Sequence, residues 1–195
     1  MKWITCTFVL LLSTSAFAGD TLYQAKNKID SVKIGKADKE EKQGGLKHPY
    51  SFETDQVRTI LRSIHFNKKT VLMKDINNQQ LFDDQNAEFL TPYVVEAFRK
   101  VGADQAVVVS YFTRDSDGVL QDDRLTIFRA FVKEDGLHLK FIKLYAKLLG
   151  DRTTKGLQRT LYEAKGLGTS LFPQPGQSRI SWSPDELVIE LKEKS

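Results

Sequence analysis

Apolar residues recur along this chain with two periods. In "HPYSFETDQVRTILRSIHF", Val57, Ile60, Leu61 and Ile64 stand at i, i+3, i+4 and i+7, the stripe of a surface helix. Ser51 suits its N-cap, and Glu53 and Asp55 place carboxylates in the first turn, where the helix end is positive; His65 falls at the negative end. A second helix is predicted over residues 91–102. Thr91 caps it and Pro92 takes the first helical position, where a missing N–H costs nothing. Tyr93, Val94, Ala97, Phe98 and Val101 form its apolar face, and Gly102 ends it. The period then shortens. Residues 105–113, "QAVVVSYFT", read as a buried strand with Val108 in the core and Asp104 in a surface turn before it. Residues 124–133 and 136–148 are two further strands joined across "EDG", so three consecutive antiparallel strands make a meander. "KTVLMK" (69–74) reads as a short strand, and "DINNQQLFDDQN" as a loop that pins Leu81 and Phe82 to the core. Residues 151–168 carry a broken helical pattern. "RISW" and "ELVIEL" flank "SPD" as a last hairpin.

These elements predict one α+β domain over residues 48–195, an antiparallel sheet of about five strands with helices on one face. Residues 19–47 are too charged and too poor in apolar side chains to offset the ordering of their backbone. They are expected to form a mobile tether that can be deleted with little effect on stability. Residues 1–18, "MKWITCTFVLLLSTSAFA", have the layout of a cleavable signal peptide: Lys2, a short apolar run, then Ala16-Phe17-Ala18 ahead of Gly19. Export to the periplasm or the extracellular space follows as an expectation. The only cysteine, Cys6, lies in that segment, so the remaining 177 residues have no thiol for a disulfide, a nucleophile or a metal.

The formal net charge of +4 does not point to nucleic acid. Residues 19–47 hold seven lysines against five acids, the rest of the chain is close to balance, and no basic cluster stands out. A helix, a glycine and a strand in that order cannot cradle a phosphate, which needs strand, Gly-rich turn and helix N-terminus in sequence. Residues 91–113 therefore read as scaffold. In "TRDSDGVLQDDR", Asp115, Asp117 and Gly118 take calcium-loop places, but Thr113 and Arg124 occupy the first and last, where ligands are required. His48, His65 and His138 are far apart and make no metal-binding pair. "GLGTS" is neither a nucleophile elbow nor a phosphate loop. No catalytic residue, cofactor site or metal site is predicted. Among the many aromatic residues, Phe172 in a Pro-rich loop and Trp182 beside "SPDE" are expected to be partly exposed and to mark an interaction surface.

The runs "HPYSFETDQVRTILRSIHFNKK", "LFDDQNAEFLTPYVVEAFRKVGADQAVV" and "RLTIFRAFVKEDGLHLKF" resemble a group of uncharacterised bacterial cell-envelope proteins that share a histidine-proline before the first helix and a late hairpin with an Asp-Gly turn. The likeness spans residues 48–145. It implies an envelope location and names no activity. The expected function is non-enzymatic: an accessory protein that binds a protein or an envelope component, without nucleic acid and with at most peripheral membrane contact. Two alternatives stand beside it, an envelope hydrolase whose site assembles only in three dimensions and a membrane-surface binder acting through the basic segment 151–165.

Overall fold

The computed structural model describes residues 20–26, 30–69, 75–115, 122–147 and 169–191. Its centre is the predicted meander: β5 (Gln105–Asp115), β6 (Asp122–Lys133) and β7 (Gly136–Lys147), each antiparallel to the next. Alternation sorts their side chains. Val107 and Val109 of β5, Phe128, Ala130 and Val132 of β6, and Leu137, Leu139 and Phe141 of β7 all enter the main core. Val108, Arg129, Phe131, His138 and Lys140 lie at the alternate positions and face the other way. Val108 is thus half-buried, and its two neighbours are the core residues.

The sheet is larger than the apolar runs imply. β1 (Thr21–Gln24) and β2 (Ser31–Lys36) pair on the β5 side, and β10 (Ser183–Ile189) and β9 (Gln177–Ile180) on the β7 side. The order is β1-β2-β5-β6-β7-β10-β9, antiparallel throughout. A second sheet of three strands follows the order β4 (Ile76–Gln80), β3 (His65–Lys68), β8 (Thr169–Leu171). Among the described residues, the expected five strands are therefore corrected to two sheets of seven and three. His65 opens β3 instead of ending a helix, and Ser183 to Asp185 belong to β10, so the last turn is Ser181-Trp182.

The segment expected to be a tether carries β1, β2 and α1 (Lys39–Lys42). Val32 and Ile34 pair with Val109 and Val107 and are buried, so two apolar residues at a period of two suffice once β5 supplies the partner edge. Helices also occupy both faces. α2 (Thr54–Arg62) and α3 (Asp84–Lys100) cover the main core, while α1 lies on the far face against Arg129. Val57, Ile60 and Leu61 bury the predicted stripe of α2, although its N-cap is Glu53 and not Ser51. α3 begins seven residues before Thr91. Its N-cap is Asp83, whose side chain accepts the Asn86 N–H at 2.7 Å, and Ala87 and Leu90 extend the apolar face backwards. Pro92 lies inside the helix on its exposed side, and buried Thr91 donates to the Ala87 carbonyl at 2.7 Å. The proposed signal peptide, residues 70–74 of the expected "KTVLMK" strand, the loop 116–121 and the basic segment 151–165 lie outside the described residues.

Candidate functional site

On the face away from α2 and α3, α1, the β6–β7 hairpin end and the β9–β10 turn enclose a pocket of about 640 Å³. Its lining includes Glu40 and Glu41 of α1, Phe131 and Lys133 of β6, Lys140 of β7, and Trp182, Ser183 and Glu186 around the last turn. The size lies within the usual range for small-ligand sites, about 300–1,000 Å³.

Local geometry places each of these groups. β6 and β7 are joined by the two residues Glu134-Asp135, because Lys133 pairs with Gly136. Gly136 has φ of +138°, and a Cβ there would sit 2.3 Å from the Ile189 carbonyl oxygen. The turn therefore presses against β10 and brings Asp135 to His138. The same register sets Phe131 opposite His138, with rings stacked at 5.1 Å and 15°. β10 supplies Glu186 from the next strand. His138 Nδ1 donates to Glu186 at 2.7 Å and Nε2 to Asp135 at 2.8 Å. Ionised carboxylates only accept, so the ring carries hydrogen on both nitrogens and is an imidazolium. Burial by itself would lower the His138 pKa, but bonds from both carboxylates outweigh it and raise the pKa above its usual value. Burial would likewise raise the Glu186 carboxyl, and the bond from His138 reverses the sign. Asp135 is lowered in the same way.

A second ion pair holds the α1 wall. Glu41 is buried and receives Arg129 Nε at 2.5 Å, Arg129 Nη2 at 2.8 Å and the Asp38 N–H at 2.7 Å. The Arg129 guanidinium also donates to the Lys36 carbonyl at 2.6 Å. At the rim Lys140 Nζ donates to Glu40 at 2.9 Å, an exposed and therefore weak pair. Lys133 Nζ stands 5.3 Å from the Phe131 ring centroid and 3.5 Å from the Glu40 carbonyl.

The two aromatic residues singled out in the sequence are not brought together. Trp182 projects from the Ser181-Trp182 turn at the pocket rim and is 86% exposed. Phe172 is 38% exposed, follows β8 and is tied to β3 by its N–H on the His65 carbonyl; it does not line the pocket. Sequence reasoning considered His138 only as a metal ligand and missed its partners. Asp135 was within reach, three residues before His138 across a tight turn. Glu186 and Glu41 were not, because their partners lie 48 and 88 residues away. Among the described residues no cluster of three metal-ligating side chains occurs, and no helix is long and apolar enough to cross a membrane. Compared with protein-family profiles, curated proteins and solved structures, the chain matches none.

Proposed function

We propose that the chain is an exported, non-enzymatic binding protein of the bacterial cell envelope, taking a protein or an envelope component as its ligand in the pocket between α1, the β6–β7 hairpin and the Trp182 turn. The observation that carries this reading is the commitment of His138. Both ring nitrogens are bonded to carboxylates, so neither is free to act as a general base. Ser183, the hydroxyl at the pocket, is hydrogen-bonded to Glu186, with His138 behind that carboxylate. A hydrolytic triad needs the imidazole between the serine and the acid, and here the acid stands between the serine and the imidazole. That order favours binding over the hydrolase alternative. The membrane-surface alternative rests on residues 151–165, outside the described residues. The envelope location rests on the layout of residues 1–18 and on the family resemblance.

A photoreactive amino acid at position 182 tests the site in the exporting cell. Adducts are expected at position 182 and not at position 55, which is exposed on α2. No adduct at 182, or equal labelling at both, would overturn the pocket reading. Mass spectrometry of the exported chain is expected to find Gly19 at its N-terminus; retention of Met1 would overturn the location.

A further inference from the structure

We infer that the pocket takes a neutral saccharide, with a sugar ring packed on the Trp182 indole and its hydroxyls bonded to the paired charges of the lining. The inference rests on the binding reading above and names the ligand class for the same site.

Two observations carry it. The first is how the charges are disposed. Each lining carboxylate already has a cation bonded to it: Glu40 has Lys140, Glu41 has Arg129, and Glu186 has His138. Lys133, the remaining lining cation, rests on a carbonyl and an aromatic ring and is attracted by Asp135 and Glu186. A cationic ligand would have to pull a carboxylate from its partner, and an anionic one would have to compete with Glu40, Glu41 and Glu186 for the cations. Breaking the buried Glu41–Arg129 or Glu186–His138 pair would leave an uncompensated charge, whereas the exposed Glu40–Lys140 pair adds little to that barrier. A hydroxyl needs no such exchange. It donates to a free lone pair of a paired carboxylate and accepts from a free proton of a paired ammonium, so both pairs survive. A lining dense in charge but locally neutralised thus suits a ligand that is dense in hydroxyls and uncharged.

The second observation is Trp182. A two-residue turn between paired Ile180 and Ser183 holds this indole almost wholly in water at the rim. The face of an aromatic ring carries negative charge density. The axial C–H bonds of a pyranose are weakly positive and point into such a face, so the sugar ring lies flat on it while its equatorial hydroxyls point outward. An exposed indole beside donors and acceptors on Glu40, Lys140 and Ser183 supplies both halves of that contact.

The test uses Trp182 as its own reporter. The chain has two tryptophans, Trp3 and Trp182, so the tryptophan fluorescence of a protein beginning at Gly19 comes from Trp182 alone. Oligosaccharides of glucose and of N-acetylglucosamine are titrated, alongside inorganic phosphate, choline and a blocked tetra-alanine peptide. The expected result is a saturable blue shift with at least one neutral oligosaccharide and none with the three other probes. By calorimetry, Trp182→Ala and Lys140→Met should each weaken that binding about tenfold or more, the scale for an aromatic anchor or a bonded polar group. Phe172→Ala should leave it unchanged. Trp182 is a surface turn residue, so its loss should not unfold the protein. Failure of every saccharide would overturn the inference. A shift with phosphate, choline or the peptide alone would overturn the saccharide while leaving the pocket reading standing. Silence from all probes, together with no crosslink at position 182, would overturn both.

Discussion

His138 donates from both ring nitrogens to carboxylates, whereas His48 accepts the Val132 N–H through Nε2 at 2.9 Å and is held neutral, its pKa lowered mainly by burial. The two rings give stability opposite pH dependences. For His138 the folded state has the raised pKa, so its contribution is complete below the usual value of 6.5 and is lost as pH climbs through the raised one. Asp135 and Glu186 face it with carboxylates, and Lys133 and Lys140 stand beside those carboxylates. Glu186, lowered from 4.5, contributes above that value and loses its contribution as pH falls through the lowered one. The pair is therefore fully effective between 4.5 and 6.5. For His48 the sign reverses: its contribution is present above 6.5 and declines as pH falls through the lowered pKa. Denaturant titrations from about pH 5 to pH 9, the span in which histidines titrate, should show His138→Gln flattening the alkaline decline and His48→Gln flattening the acid one. Equal effects of both variants at every pH would refute the assignment. Gly136 has a separate role. Alanine there must displace the Ile189 carbonyl, whereas alanine at Gly45, also at positive φ, meets no neighbour within 4 Å. Gly45→Ala should cost about 1 kcal/mol for its backbone conformation, and Gly136→Ala at least twice as much in the same titration.

At the scale of elements, β2 and α1 differ most from their reading in the sequence. Between Gly19 and Lys47 charged residues dominate, and composition over that window argues for a solvated arm. What reverses it is supplied from elsewhere in the chain. β5 offers an open edge to Val32 and Ile34, and Arg129 offers two N–H groups to Glu41. The period of two at Val32 and Ile34 was visible but too short to outweigh its surroundings. In α3 the spacing of Ala87, Leu90 and Val94 was equally visible, and the preference of Pro92 for a first turn masked it. The central strands were legible because each carries enough apolar residues to declare itself without a partner. Removal of residues 19–45 should therefore be severe. Val32 and Ile34 each lose about 1.5–3 kcal/mol of burial, and Arg129 without Glu41 adds about 3–5 kcal/mol, a total comparable to the stability of a whole domain. Soluble yield on expression without these residues should collapse. Glu41→Ala alone should cost about 3–5 kcal/mol by denaturation; a loss under about 1 kcal/mol, the scale of an exposed pair, would mean that the pair is exchanged with solvent.

Over the whole molecule, one apolar cluster joins the parts. Phe66 of the three-stranded sheet, Phe141 and Tyr145 of the seven-stranded sheet, Phe52 before α2 and Phe98 of α3 belong to the same core. Phe66 is fully buried and its ring stands 4.6 Å from that of Tyr145, so the small sheet shares its central side chain with β7. Sheets that share a core in this way cannot separate without exposing it, and a single cooperative transition follows. The sequence could not show this, because β3 and β8 are short, carry one large apolar residue each and lie more than a hundred residues apart along the chain. Phe66→Ala is the discriminating change. Truncating a buried phenylalanine costs about 3–5 kcal/mol, and for a chain of this size each kcal/mol lowers Tm by about 2–4 °C. Calorimetry should show one peak displaced downwards by about 10 °C, with amide exchange accelerated alike in β3, β5, β6 and β7. A new low-temperature peak, or faster exchange confined to β3, β4 and β8, would show that the small sheet folds on its own account. The pocket lies on the far face of the large sheet, but its lining residue Phe131 and the His138 ring stacked on it alternate with Ala130, Val132, Leu137 and Leu139 of the core. The same variant should therefore leave Trp182 titrations unchanged below the transition and abolish them across it.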